Sequence, residues 1–276
     1  MRLSRENCKV NRYDEKILQF GEGNFLRAFI DWIIYKMNGE ANFNSGVTVI
    51  QPIQKGLSHL LDEQDGLYTL YLNGLKNGKP VREKMLIDCI NTAINPYDHY
   101  DQYLETALNP NIRFIISNTT EAGITYNKQD NEKDCPPKSF PGKLTAWLYK
   151  RYEAGKNGVI IMPCELIDRN GDKLKKIILN LAQDWDKEEA FMRWIKEENF
   201  FCNSLVDRIV PGFPKEQIKE ILQELGYDDK LVVEGEQFHL WVIEAPDWVK
   251  EEFPAEQAGL NVLFVDDISP YRTRKV

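Results

Sequence analysis

The sequence has 276 residues, 42% apolar, 28% charged and 11% aromatic, with a formal net charge of -8 at pH 7. That length can bury a sizeable core, and the composition is that of a folded chain, neither disordered nor fibrous. The acidic balance argues against a general nucleic-acid binder, whose phosphate contacts need a basic surface. No run of about 18 apolar residues free of charge marks a membrane span.

The opening MRLSRENCKV is charged and has no apolar core region, so the expected location is the cytoplasm. Five widely spaced cysteines, Cys8, Cys89, Cys135, Cys164 and Cys202, form no Cys-x-x-Cys pair and fit free thiols in a reducing compartment. His59, His99 and His239 stand at no metal-ligand spacing, so no metal site is expected.

In chain order, KILQF (Lys16 to Phe20) reads as a strand, GEGNF as a glycine turn, and FLRAFIDWIIYKM as a helix. Phe25, Phe29, Trp32, Ile33 and Lys36 recur at three- and four-residue spacing and mark one face of that helix. VTVIQ (Val47 to Gln51) supplies a second strand and closes a strand-helix-strand unit. From about 65 to 92 the pattern alternates, with Asn73-Gly74 and Asn77-Gly78 as turn signals, which predicts an inserted antiparallel hairpin or meander.

The α/β pattern then resumes. YDHYDQYLETAL predicts a helix, IRFIIS (Ile112 to Ser117) a strand, and the polar stretch Asn127 to Lys138 an exposed loop. Pro141 and Gly155 bracket the next helix, and GVIIMP (Gly158 to Pro163) is a buried strand. Helical periods follow in DKLKKIILNLAQDW, in DKEEAFMRWIKEE, and in KEQIKEILQELG, which Gly226 closes. FHLWVIEAP and NVLFVDD read as late strands, so 200–267 is expected to extend the sheet. The fold predicted is α/β: one Rossmann-like, doubly wound domain over 1–276 carrying an inserted antiparallel β-hairpin.

In such a fold the first glycine permits the turn, the second admits a pyrophosphate, and the third packs helix on strand. Gly21 and Gly23 fill the first two places, but Leu26 stands in the third. The acid that would bind the ribose is also absent, since the second strand runs into Gln51-Pro52-Ile53-Gln54-Lys55. These residues therefore leave NAD and NADP equally open.

Gly21, Gly23, Phe25 and Arg27 match a Gly-x-Gly-x-Phe-x-Arg pattern. Together with DGLYTL (Asp65 to Leu70), TTEAGI (Thr119 to Ile124), SLVDRIVP (Ser204 to Pro211) and DDISPYRTRK (Asp266 to Lys275), the chain resembles the mannitol dehydrogenase family. These are polyol-specific long-chain dehydrogenases that include fructuronate and tagaturonate reductases. PCELIDRNG (Pro163 to Gly171) departs from the mannitol-type pattern, with Leu166 where an asparagine meets the substrate. With NTTEAG and SLVDRIVPGFP, it looks most like the tagaturonate reductase branch.

The resemblance implies NAD as cofactor, a sugar acid as substrate, and reversible hydride transfer without a metal. It implies cofactor contacts from Phe20, Gly21, Gly23, Asn24, Phe25, Arg27, Thr119, Thr120 and Glu121, and substrate contacts from Asp207 and Glu165. Lys275 aligns with the family's acid-base lysine, whose pKa must be lowered toward neutrality. Family members are roughly twice as long and end in a helical domain absent from these 276 residues. The expectation is a cofactor-binding half that does not turn over alone and self-associates through surface left open, with no nucleic-acid or membrane partner. A non-catalytic dinucleotide-binding or redox-sensing module is the alternative.

Overall fold

The computed structural model describes residues 2–76, 78–120 and 123–272. The first part of the chain forms β1 (Glu15–Phe20), α1 (Asn24–Ala28), α2 (Ile30–Glu40), β2 (Gly46–Ile50), α3 (Ser58–Glu63), β3 (Tyr68–Lys76), β4 (Lys79–Ile87) and β5 (Ile90–Ile94). Then come α4 (Tyr100–Glu105) with a 3-10 turn at Thr106–Leu108, β6 (Phe114–Ser117), α5 (Phe140–Glu153), β7 (Ile160–Pro163), α6 (Asn170–Asp184) and α7 (Glu189–Glu197). The last third holds β8 (Phe200–Phe201), β9 (Asn203–Asp207), α8 (Ile218–Leu225), β10 (Val233–Glu236), β11 (Leu240–Glu244), α9 (Asp247–Glu252), β12 (Val262–Val265) and α10 (Ser269–Arg272).

Six strands pair in the order β5-β2-β1-β6-β7-β8, every pair parallel. Parallel strands need crossovers that cover both faces, which is why β2, β6 and β7 are buried end to end rather than alternating. Side chains still alternate between the faces. Ile17 joins a core with Ile30 and Ile33 of α2 and Trp241 of β11, whereas Leu18 and Phe20 join Leu144 and Trp147 of α5 and Leu174 of α6. From β1 the chain builds β2 and then β5 on one side and crosses back to place β6 on the other side of β1, so the strand order reverses at the carboxyl ends of β1 and β6. Open α/β sheets bind ligands at such a point.

The predicted insertion is a hairpin, β3 against β4 from Tyr68↔Ile87 to Lys76↔Lys79, with β10 added parallel to β3. Ile90 leaves that stretch and begins β5 of the main sheet. Of the segment 200–267, only the two residues of β8 join the six strands; β9, β11 and β12 form a separate sheet. Its inner residues Val206, Trp241, Ile243 and Val262 pack onto the α2 face of the main sheet. The helix predicted from Phe25 onward is interrupted at Phe29 (φ -120, ψ -69), whose ring stacks on Phe25 and meets Trp241 edge-on. Among the described residues no helix is long and apolar enough to cross a membrane.

Candidate functional site

The glycine turn sits at the switch point. Gly21 has φ +119, a conformation L residues rarely adopt, and a Cβ there would lie 2.9 Å from both the Asn118 carbonyl and Leu26 Cδ1. Gly23 is different. Its backbone is ordinary (φ -67), and an added Cβ would meet nothing within 4 Å, so no protein contact requires a glycine at this exposed position. The space in front of it suits close approach by a ligand. No side chain caps α1, so the N–H groups of its first turn are available to an anion.

The other turn residues divide by burial. Asn24 is exposed and Phe25 half-buried. Phe20 points to the opposite core, its ring against Phe140 and Tyr103. Arg27 is 1% exposed. Its guanidinium donates to the carbonyls of Glu22 and Leu231 and to Asn24 Oδ1, and lies over the Tyr68 ring. It therefore ties the turn to the segment before β10, and reaches Asn24 from behind.

Beneath the turn lies a polar cluster that sequence reading missed. Gln19 Nε2 donates to the Gly21 carbonyl at 3.2 Å and faces Asp31 Oδ2 at 3.5 Å, and Tyr68 Oη donates to the same carboxylate oxygen at 3.2 Å. Asp31 is fully buried, and burial pushes its pKa up to about 7 against the hydrogen bonds from Gln19 and Tyr68. Gln19 Oε1 and Asp31 Oδ1 have no hydrogen-bond partner among the described residues. Only the polar residues Gln19 and Asp31 inside an apolar strand and helix could have signalled this cluster.

After β6, Thr119 N and Oγ1 each donate to Glu165 Oε1 at 2.9 Å, and Ser117 Oγ donates to Glu165 Oε2 at 3.0 Å. Glu165 is 2% exposed. Burial raises its pKa while these bonds pull it down. Both carboxylate oxygens are thus engaged by the 117–119 turn, and Thr120 follows with φ +73, exposed. Glu121 and Lys275 lie outside the described residues.

Asp207 ends β9, half-buried, opposite Leu240. Next to it Arg208 donates to the carbonyls of Ala28, Gln237 and Phe238 and stacks over Trp32 at 4.0 Å. The segments carrying Glu165 and Asp207 are joined by Asn170, another residue not singled out from sequence. Its Nδ2 donates to the carbonyls of Pro163, Glu165 and Ser204, and its Oδ1 accepts from Ser204 N and Gly171 N. The signal for it was an Asn-Gly pair opening a helix.

A cavity of about 400 Å3 opens here, lined by Glu165 to Arg169, Asn203 to Leu205, Ile268 and Arg272. Leu166 is 61% exposed. Arg169 pairs with Asp172 and Glu244, and Arg272 with Asp168. A larger cavity of about 620 Å3, between Arg2, Glu63 and Tyr227, is lined by none of the site residues. Among the described residues no cluster of His, Cys, Asp and Glu could hold a metal ion.

A parallel doubly wound sheet with a glycine turn at its switch point defines a Rossmann-like dinucleotide fold. Residues 15–257 match the mannitol dehydrogenase Rossmann domain. The chain belongs to the mannitol dehydrogenase family of oxidoreductases. It is 54% identical over 269 residues to an altronate oxidoreductase of Bacillus subtilis, covering 96% of this chain and 56% of that protein. It is 51% identical over 278 residues to one of Phocaeicola vulgatus, covering 99% of this chain and 58% of that protein. The chain thus spans little more than half the length of these relatives.

Two solved structures share the fold. D-sorbitol dehydrogenase in substrate-free form superposes with a TM-score of 0.78 at 23% identity, covering 98% of this chain and 60% of that one. Pseudomonas fluorescens mannitol 2-dehydrogenase, solved as a ternary complex with NAD and D-mannitol, gives 0.78 at 24% identity, covering 98% and 59%.

Proposed function

We propose that this chain is the cofactor-binding part of an NAD-dependent hexuronate reductase that interconverts tagaturonate and altronate. The observation that carries the reading is the turn at the switch point, where Gly21 is required by the fold and Gly23 leaves space that no atom of the described residues uses. The likeness to altronate oxidoreductases supports the choice of substrate, and the Leu166 position, without an amide, argues against mannitol.

In this reading NAD, when bound, carries the hydride. Gly23 and the uncapped start of α1 receive the pyrophosphate, with Asn24 held by Arg27 at the rim. Glu165 acts through Thr119, fixing the turn after β6 that would hold the nicotinamide end of the cofactor. Asp207 offers a carboxylate to substrate hydroxyls, and Lys275 exchanges the proton with the substrate oxygen, by resemblance to the family.

Calorimetric titration of the 276-residue chain with NADH tests the cofactor half, and no heat at millimolar cofactor would sink it. The reaction is tested in a polypeptide of the relatives' full length, with tagaturonate and fructuronate as competing substrates. Equal inactivity on both refutes the hexuronate assignment.

A further inference from the structure

Rossmann-like sites bind the adenosine ribose through a carboxylate at the end of the second strand. Here no Asp or Glu stands between Gln51 and Leu57. Gln51 itself is spent on its own loop: its Oε1 accepts from Ser58 N and Oγ, and its Nε2 donates to the carbonyls of Ile53 and Gln54.

A carboxylate nevertheless lies at that loop. Glu22, between the two glycines of the turn, reaches across to it, and its Oε1 accepts the Leu57 N–H at 3.1 Å. A Cβ on Gly56 would lie 2.0 Å from the same oxygen, so the loop can pass close only because Gly56 has no side chain. Glu22 is 6% exposed and makes no ion pair among the described residues. The Arg27 guanidinium acts on it only at a distance, its N–H groups being turned to the carbonyls of Glu22 and Leu231 and to Asn24. Its surroundings face outward: Gly23, Gln54 and Lys55 are exposed.

A buried carboxylate held by backbone N–H groups and without a direct cation is best completed by further neutral donors. The two hydroxyls of an unphosphorylated ribose are such donors, whereas a 2′-phosphate would set a second anion against it. We propose that Glu22 supplies, from within the glycine turn, the carboxylate that binds the adenosine ribose and excludes a 2′-phosphate. This assignment rests on the dinucleotide reading above. It makes Glu22 a specificity-determining residue and leaves Lys55, the basic residue of the loop, outside the recognition.

The test is calorimetric measurement of NADH and NADPH affinities for the wild-type chain and for Glu22→Gln. Glutamine keeps an acceptor for the Leu57 N–H, so the loop retains its anchor while the charge is removed, and a thermal melt checks folding. Wild type is expected to bind NADH at least about tenfold more tightly than NADPH, the worth of one charge-assisted hydrogen bond. In Glu22→Gln the ratio should shrink to within about threefold, mainly through weaker NADH binding. Wild-type protein that binds NADPH as well as NADH overturns the proposal without any variant, and so does a variant with an unchanged ratio. Should Glu22→Gln not fold, Glu22→Asp, which keeps the charge but draws it back, must weaken NADH binding, and unchanged binding overturns the proposal. If wild type binds neither nucleotide, the dinucleotide reading itself fails; if it binds NADH and only the ratio test fails, that reading stands and Glu22 alone is wrong.

Discussion

Asn170 and Ser204 exchange two hydrogen bonds, Ser204 N to Asn170 Oδ1 at 2.9 Å and Asn170 Nδ2 to Ser204 O at 3.1 Å, although 34 residues separate them. The Asn170 side chain is fully buried and also serves Pro163, Glu165 and Gly171. Asn170→Ala removes the acceptor that Ser204 N and Gly171 N share, while the Pro163 and Glu165 carbonyls keep Ser204 Oγ and Ile167 N as donors. At about 1–3 kcal/mol for each unsatisfied group, we expect a loss of roughly 3 kcal/mol or more in urea unfolding. A loss below about 1 kcal/mol would show that water replaces the amide.

The two glycines of the turn should separate stability from binding. Gly21→Ala meets a positive φ and two contacts at 2.9 Å, and should lower stability by about 1–3 kcal/mol. Gly23→Ala meets open space and an ordinary backbone, so its melting temperature should stay close to wild type while NADH affinity falls. NADH binding by Gly23→Ala equal to wild type would contradict the pyrophosphate placement.

Asp31 predicts a pH dependence. Its folded-state pKa is raised from 3.8 to about 7, so the folded chain holds this proton more tightly than the unfolded one. The contribution is fully present below 3.8 and is lost as pH rises toward about 7. Asp31→Asn keeps a neutral group that does not titrate and should flatten this slope. Urea unfolding at pH 5 and pH 8 compares the two, and identical slopes would count against a protonated Asp31.

Arg208 braces the end of β9 against the Ala28 carbonyl at the end of α1, the Gln237 and Phe238 carbonyls before β11 and the Trp32 ring of α2. Lysine is a single point charge and cannot reproduce a planar fork stacked on an indole. Arg208→Lys should therefore cost about 2–3 kcal/mol, with a change in tryptophan fluorescence reporting the exposed Trp32 face. Unchanged stability and emission would mean that the carbonyls find other donors.

Much of the architecture was legible because it rests on local signals. The apolar runs of β1, β2, β6 and β7, the proline start of α5 and the glycine end of α8 each follow from a few neighbouring residues. The late strands were legible as strands, but their sheet was not. Strand pairing joins residues far apart, so β10 pairs with β3 across some 160 residues while β9 and β11 form a sheet away from the main one.

The site divides in the same way. By itself the sequence determined the strand-turn-helix unit, the two glycines and the likeness of spaced motifs to a family, since backbone freedom and hydrophobic period are properties of short segments. Only the tertiary structure decided what the polar side chains do. Arg27 turns inward to Leu231, Glu165 is engaged by Ser117 and Thr119, and Glu22 meets the loop after β2. The reason is physical: a buried charge or amide must find its partner wherever the fold brings one, and that place is set by packing rather than by sequence distance.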